Sequence, residues 1–183
     1  SQFPGPASSP LIVVPARMAS TRLPGKPLAD IHGQAMIVHV WRRAVEAGIG
    51  PVVVACAESE IADAVEAAGG RAVLTDPDHP SGTDRVFEAL CAVDPHGRHD
   101  VVINLQGDLP TLDPALVGVV SRLLDDPAVD ISTLAAVIAD PAEIAAPNVV
   151  KAVVPLQPGQ RSGRALYFSR AAVPAGDGPF LHH

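Results

Sequence analysis

The chain predicts an α/β fold, a three-layer α/β/α sandwich around a mainly parallel sheet. Three observations carry that expectation. Short apolar runs alternate with segments of helical periodicity, which implies parallel strands joined by right-handed crossovers. The runs are apolar throughout and do not alternate with polar residues, as expected of strands covered on both faces. Finally, 183 residues with 48% hydrophobic and 18% charged content suffice for one domain with a sizeable core and no disulfide or metal staples.

Strands are predicted at Leu11–Val14, Val52–Cys56, a short Ala72–Leu74, Val101–Leu105, Ile131–Val137 and Val149–Val154. After the first, Met36, Ile37, Val40, Trp41, Ala44 and Val45 repeat at helical spacing, with Arg42, Arg43 and Glu46 on the other face. The next helix runs from near Glu58 to Ala68, turns Ile61 and Val65 inward and is stopped by Gly69-Gly70. A third carries Val86, Phe87, Leu90 and Cys91. A fourth starts at Asp113-Pro114, an N-cap and N1 pair, and is expected to bury Leu116, Val120 and Leu123. Residues 156–164 and 174–179 read as loops. Residues 1–10, rich in Ser, Pro and Gly, are expected to form a flexible lead-in to a domain spanning 11–183.

Composition narrows the function classes. A formal net charge of -7 argues against a nucleic-acid binder, which is usually basic. No apolar stretch reaches the ~20 residues that span a bilayer, and the first residues lack the basic and apolar regions of a signal peptide. A soluble, cytoplasmic protein is expected. Cys56 and Cys91 stand alone, without metal-ligand spacing, and read as small buried hydrophobes in a reducing compartment.

Against that acidic background, residues 14–27 carry Arg17, Arg22 and Lys26 and no acid. A cationic loop at a strand end suits a polyanion such as a nucleoside triphosphate. Pro15 ends the strand and Pro24-Gly25 makes a second turn, so the backbone between can curl around an anion. Ser20 and Thr21 offer hydroxyl and backbone donors. Arg17 and Arg22 can grip phosphate oxygens in forked geometry, and Lys26 supplies a point charge. The chain holds eleven arginines and two lysines, Lys26 and Lys151, which suggests a use for a compact ammonium at both places. This is no Walker A loop, because Ser20 and Pro27 stand where a glycine and a Ser or Thr are required. Gly48-Ile49-Gly50 runs into Pro51 and makes no dinucleotide fingerprint, which sets a dehydrogenase aside.

Ligands of open parallel sheets sit at the carboxyl ends of the strands. A second loop there, Gln106-Gly107-Asp108, follows Val101–Leu105 and should emerge on the same edge as the cationic loop. Asp108 fits either a turn or cap role or that of a magnesium ligand between the α-phosphate and a leaving diphosphate. In His79-Pro80-Ser81-Gly82-Thr83-Asp84-Arg85, Ser81 or Thr83 reads locally as a helix N-cap and Arg85 as a surface cation. Lys151 reads as an edge-strand solubility device. His182-His183 fit either a ligand role or a disordered end or tag remnant.

The stretch from Val14 to Pro27 resembles the opening motif of the sugar-activating cytidylyltransferases, the CMP-sugar nucleotidyltransferase family, and most closely the branch acting on 3-deoxy-manno-octulosonate (KDO). Gln106-Gly107-Asp108-Leu109-Pro110 resembles that family's QGDEP but has Leu109 at the Glu. Residues 79–85 resemble its H-x-S-G-T-[ED]-R. Pro147 to Lys151 resembles PNxVK, Ala165 to Arg170 resembles ALYFSR, and 180–183 resembles a segment whose last His helps hold the sugar acid. The resemblance spans Ile12 to His183 with its motifs in order.

It implies a Rossmann-like nucleotidyltransferase sandwich that transfers CMP from CTP to KDO with Mg2+, releasing diphosphate, for lipopolysaccharide biosynthesis. The implied nucleotide site comprises Pro15, Ala16, Arg17, Ser20, Thr21, Arg22, Lys26, Ser81, Gly82, Arg85 and Gln106, with Asp108 as metal ligand. Arg17, Arg22, Lys26 and Asp108 are the implied catalytic groups. Gln106, Tyr167, Arg170 and His183 are implied for the sugar acid. No residue stands out as general base, so metal activation of the sugar hydroxyl is expected. Such enzymes are expected to continue past His183 and to supply there dimer contacts, further sugar ligands and another metal-binding carboxylate, so a homodimer belongs to the longer form. Two alternatives stay open: another acidic sugar such as a sialic acid, and a truncated CTP-binding domain without turnover.

Overall fold

The computed structural model describes residues 9–19, 24–176 and 179–183. Most of the expected lead-in therefore lies outside the described residues. The chain divides into two compact units, Ser1–Pro127 and Ala128–His183.

The first unit runs β1 (Pro10–Ala16), β2 (Asp30–Ile31), β3 (Gln34–Ala35), α1 (Met36–Glu46), β4 (Val52–Cys56), α2 (Ser59–Ala67), β5 (Ala72–Leu74), α3 (Gly82–Val93), β6 (Val101–Asn104) and α4 (Pro114–Arg122). Its main sheet has the order β5-β4-β1-β6 and is parallel throughout. β1 lies between β4 and β6, with Ile12 opposite both Val52 and Ile103. All seven of its residues are buried, which is why it reads as an uninterrupted apolar run.

The layers follow from crossover handedness. From β1 to β4 to β5 the chain steps in one direction across the sheet, so the right-handed rule puts α1 and α2 on one face. The step from β5 to β6 reverses direction, which carries α3 to the opposite face. The two cores reflect this. Ile12, Val14, Val54 and Cys56 pack with α1, α2 and α4 residues such as Ile37, Val40, Ile61, Val65 and Val117. Leu11, Val13, Val53 and Ala55 pack with Val86 and Ala89 of α3. Each fully buried Val, Leu or Ile side chain contributes roughly 1.5–3 kcal/mol, so β1 is the most strongly anchored strand of the sheet.

Two helices are turned differently from expectation. In α3 the inward stripe is Arg85, Val86 and Ala89, which leaves Phe87 66% exposed and Cys91 on the surface. Phe87 and Cys91 lie one turn apart on the outer side, so the reading of Cys91 as a buried hydrophobe is corrected. In α4, Val117 and Gly118 are the buried positions, while Leu116 is exposed and Val120 and Leu123 are half-buried. Asp113 does cap α4, accepting from the Ala115 N–H at 2.9 Å.

The second unit contains β7 (Ala136–Val137), α5 (Pro141–Ala145), β8 (Lys151–Val153), β9 (Tyr167–Ser169) and β10 (Leu181–His182). Its sheet has the order β7-β10-β8-β9 and is antiparallel, so the Val149–Val154 run does not join the parallel sheet. Of Ile131–Val137 only the last two residues pair, and Ile131 is 87% exposed. Lys151 lies on an inner strand, fully buried, and its ammonium donates to the carbonyls of Ala146 (2.9 Å), Val149 (2.7 Å) and Arg170 (2.7 Å). Three donors with three acceptors make burial of the charge tolerable. The edge-strand reading of Lys151 is thereby corrected.

Candidate active site

The carboxyl ends of β1 and β6 border a cleft of about 950 Å³, lined entirely by residues of the first unit. Its size falls in the range of small-ligand sites, roughly 300–1,000 Å³. Three loops build it. The first runs on from Pro15 and Ala16 at the end of β1 and contributes Arg17, Ala19, Pro24 and Lys26. Gly25 adopts a left-handed conformation (φ 73°) that starts the short turn Lys26–Leu28, and buried Pro27 fixes that turn to the body of the unit. Lys26 is thus presented from a rigid base.

The second loop follows β6 and contributes Gln106, Gly107 and Asp108. At Gly107 any side chain would force the backbone to move, because a Cβ there would lie 2.5 Å from the Pro15 carbonyl oxygen. That close approach brings the two loops together, and the Lys26 Nζ lies 3.0 Å from Asp108 Oδ2. Gln106 donates from Nε2 to Asn104 Oδ1 at 3.0 Å, which orients its amide.

The third loop contributes His79 and Ser81 and leads into α3, whose first turn adds Gly82 and Arg85. Ser81 is the N-cap, its hydroxyl accepting from the Asp84 N–H at 3.2 Å. Arg85 is 2% exposed, which corrects the surface-cation reading. Its guanidinium donates to Thr75 Oγ1 and to the Pro77 carbonyl, and Thr75 in turn donates to the Cys56 carbonyl at 3.1 Å. Among the described residues no carboxylate is in ion-pair contact with Arg85. A buried cation without a counter-ion raises the potential of the cleft it borders.

His79 is a lining residue that sequence reasoning quoted within a motif but did not assign. Its Nε2 meets Glu88 Oε2. Glu88 also accepts from the Asp76 N–H at 2.9 Å, and these two bonds, the backbone one foremost, hold its carboxyl below the usual range. The Cys56 thiol is pushed up to about 11, chiefly by burial with the Glu58 charge adding to it, so it is an inert core group.

Of the residues expected to hold nucleotide, Pro15, Ala16, Arg17, Lys26, Ser81, Gly82, Arg85 and Gln106 line this one cleft together with Asp108. Ser20, Thr21 and Arg22 lie outside the described residues. Tyr167, Arg170 and His183 belong to the second unit. There Tyr167 is exposed, Arg170 donates to the Pro147 carbonyl at 2.8 Å, and the His183 ring meets Phe168 edge-on at 5.6 Å. The His183 N–H also donates to the Val150 carbonyl at 2.9 Å, so this segment is structured and not a loose end.

A magnesium ion suits the donor set. Among the described residues no three His, Cys, Asp or Glu side chains gather to cage a metal. A single cleft carboxylate, Asp108, matches a cation that binds through one or two carboxylates and completes its shell with phosphates and water.

The cytidylyltransferase family matches this chain over residues 11–181. The chain is 65% identical over 175 residues to the 3-deoxy-manno-octulosonate cytidylyltransferase of Paramagnetospirillum magneticum, covering 96% of this chain and 71% of that protein. It is 67% identical over 175 residues to that of Rhodospirillum centenum, covering 96% and 68%. Among solved structures it resembles CMP:2-keto-3-deoxy-manno-octonic acid synthetase complexed with CTP, with a TM-score of 0.83, 43% identity, and coverage of 96% and 71%. The sandwich expected from the sequence is therefore the fold of that solved structure.

Proposed function

The chain belongs to the cytidylyltransferase family, and from that membership we propose that it transfers CMP from CTP to KDO, giving CMP-KDO and diphosphate. The observation that carries the reading is the cleft itself. Arg17, Lys26 and the buried Arg85 line one cleft with Asp108 on an otherwise acidic chain. Such a cleft attracts a polyphosphate and keeps one carboxylate for the cation that accompanies it.

The chemistry asks little covalent work of the protein. The anomeric hydroxyl of the sugar attacks the α-phosphorus in line, and diphosphate leaves. Catalysis then rests on positioning and on charge stabilisation. Arg17 and Lys26, with Arg22, Ser20 and Thr21 on the resemblance, hold the triphosphate. Ser81, Gly82 and Arg85 form the wall for the rest of the nucleotide. Gln106 orients the sugar at the mouth, and Tyr167, Arg170 and His183 are assigned to the sugar acid by their motifs. Mg2+ would be held by Asp108 with the nucleotide phosphates, and when bound it withdraws charge from the phosphoryl oxygens. Lys26 and Asp108 exchange partners as nucleotide arrives, the ammonium taking phosphate oxygens and the carboxylate becoming free.

Diphosphate release tests the proposal. With CTP and Mg2+, KDO should support turnover and a sialic acid should not. Turnover with the sialic acid in place of KDO would overturn the acceptor. CTP binding with no turnover on either sugar would make the chain a nucleotide-binding unit.

A further inference from the structure

We infer that Glu58 is a positioning residue for the nucleotide site, its carboxylate fixing the backbone of the cationic loop at Met18. The inference rests on the reading of the cleft as a CTP site. Glu58 occupies the N-cap position of α2 but makes no side-chain cap bond to its own helix. Its carboxylate reaches back across forty positions in sequence, and Oε2 accepts from the Met18 N–H at 3.0 Å. An acid that could satisfy a free N–H of its own helix satisfies one of the loop instead.

Met18 is held through its N–H, its carbonyl and its side chain. Its carbonyl accepts from the Gly25 N–H at 3.0 Å, which ties the two ends of the loop together. Its side chain packs against the main core. Two residues earlier, the Ala16 carbonyl accepts from the Ala57 N–H at 3.2 Å, so the turn after β4 grips the chain twice. The neighbours of Met18, Arg17 and Ala19, both line the cleft. Arg17 is exposed and its side chain has no hydrogen-bond or ion-pair partner among the described residues, so the placement of its backbone decides where its guanidinium can reach. Glu58 touches no substrate. It acts through Met18.

Charge alone predicts the opposite result, which makes the test sharp. Removing an acid beside an anion site should tighten CTP binding by simple Coulomb attraction. Removing an anchor should weaken it. Glu58→Ala is expected to raise the CTP dissociation constant about tenfold in titration calorimetry, while Glu58→Gln, which keeps an acceptor oxygen for the Met18 N–H, stays within about twofold of the wild-type protein. Glu60→Ala, an equal loss of charge on the same helix, should leave binding unchanged or slightly tighter. Should the alanine variant not fold, Glu58→Met keeps the bulk without the acceptor and is expected to show the same loss. CTP binding to Glu58→Ala as tight as to wild type would overturn the inference, as would equal weakening by Glu58→Gln. Failure of the wild-type protein to bind CTP would instead remove the reading of the cleft on which the inference stands.

Discussion

Lys26 and Asp108 meet across the cleft, Nζ to Oδ2 at 3.0 Å, and join the loop after β1 to the loop after β6. Their side chains are 35% and 55% exposed, so the pair contributes at most about 1 kcal/mol to stability. Its importance lies in what each group does when released. On the proposed function, one is the cation for a phosphate, the other the carboxylate for a metal, and each keeps the other in place until nucleotide arrives.

Asp108→Asn should therefore separate function from folding. The melting temperature is expected to stay within about two degrees of wild type, since an exposed ion pair is all that is lost. Magnesium-dependent diphosphate release should fall about a hundredfold or more, the loss that corresponds to ~3 kcal/mol of transition-state stabilisation. Near-normal turnover would remove Asp108 from the metal site.

Arg85 calls for a different substitution, because it is buried. Arg85→Ala would leave a cavity and confuse packing with charge, whereas Arg85→Met fills the space without the guanidinium. Replacing a buried, uncompensated charge with an apolar side chain of similar size should leave thermal stability unchanged or raised. CTP affinity is expected to drop about tenfold, or ~1.4 kcal/mol. If calorimetry shows unaltered affinity, the buried cation serves only to hold Thr75 and Pro77.

Gly107 sets the spacing of the two loops. A methyl group 2.5 Å from the Pro15 carbonyl cannot be accommodated without moving one of the loops, because the obstacle is backbone. Gly107→Ala is expected to lower the melting temperature by several degrees, for a cost of about 1–3 kcal/mol, and to reduce activity beyond the loss of folded protein. A crystal structure of the variant should show Lys26 and Asp108 further apart. Wild-type activity and stability together would mean that the loops are free to separate.

What could be read from the sequence depended on whether a signal is local. β1 is buried along its whole length, so burial wrote an apolar run that no other structure explains. The cations after it and the acid after β6 were legible because strand ends fix which loops share an edge. Glu58 was not legible. An acid at a helix start looks like an ordinary cap, and its real partner is forty positions away. Lys151 misled for the same reason, since the carbonyls that surround it come from positions 146, 149 and 170 and leave no periodic trace. Ile131–Val137 shows the opposite failure. It is apolar enough for a strand, but only Ala136 and Val137 find a partner, in β10. In α4 the spacing of Leu116, Val120 and Leu123 was helical, yet the packing face is set by Val117 and Gly118, one residue further round.

Asp94 gives the fold a defined response to acid. It ends α3 with its side chain 1% exposed, and its two oxygens accept from the N–H groups of Arg98 (2.9 Å) and His99 (2.8 Å). Those backbone bonds, Arg98 first, hold the carboxyl below its ordinary value. A carboxylate with a lowered folded-state pKa contributes stability that is present above the unfolded value, about 3.9, and is lost as pH falls through the folded one. The melting temperature of the wild-type protein should therefore fall steeply below about pH 4. Asp94→Asn offers one carbonyl oxygen for two N–H donors and cannot be charged, so it should melt lower at pH 6 and decline less steeply in acid. The two curves should converge as pH falls through the lowered folded-state value, where the wild-type carboxyl is protonated as well. Glu88, whose carboxyl is also held low, is present in both proteins and cancels in the difference. Curves that stay parallel down to the lowest pH would show that Asp94 stabilises the turn by shape alone and not through its charge.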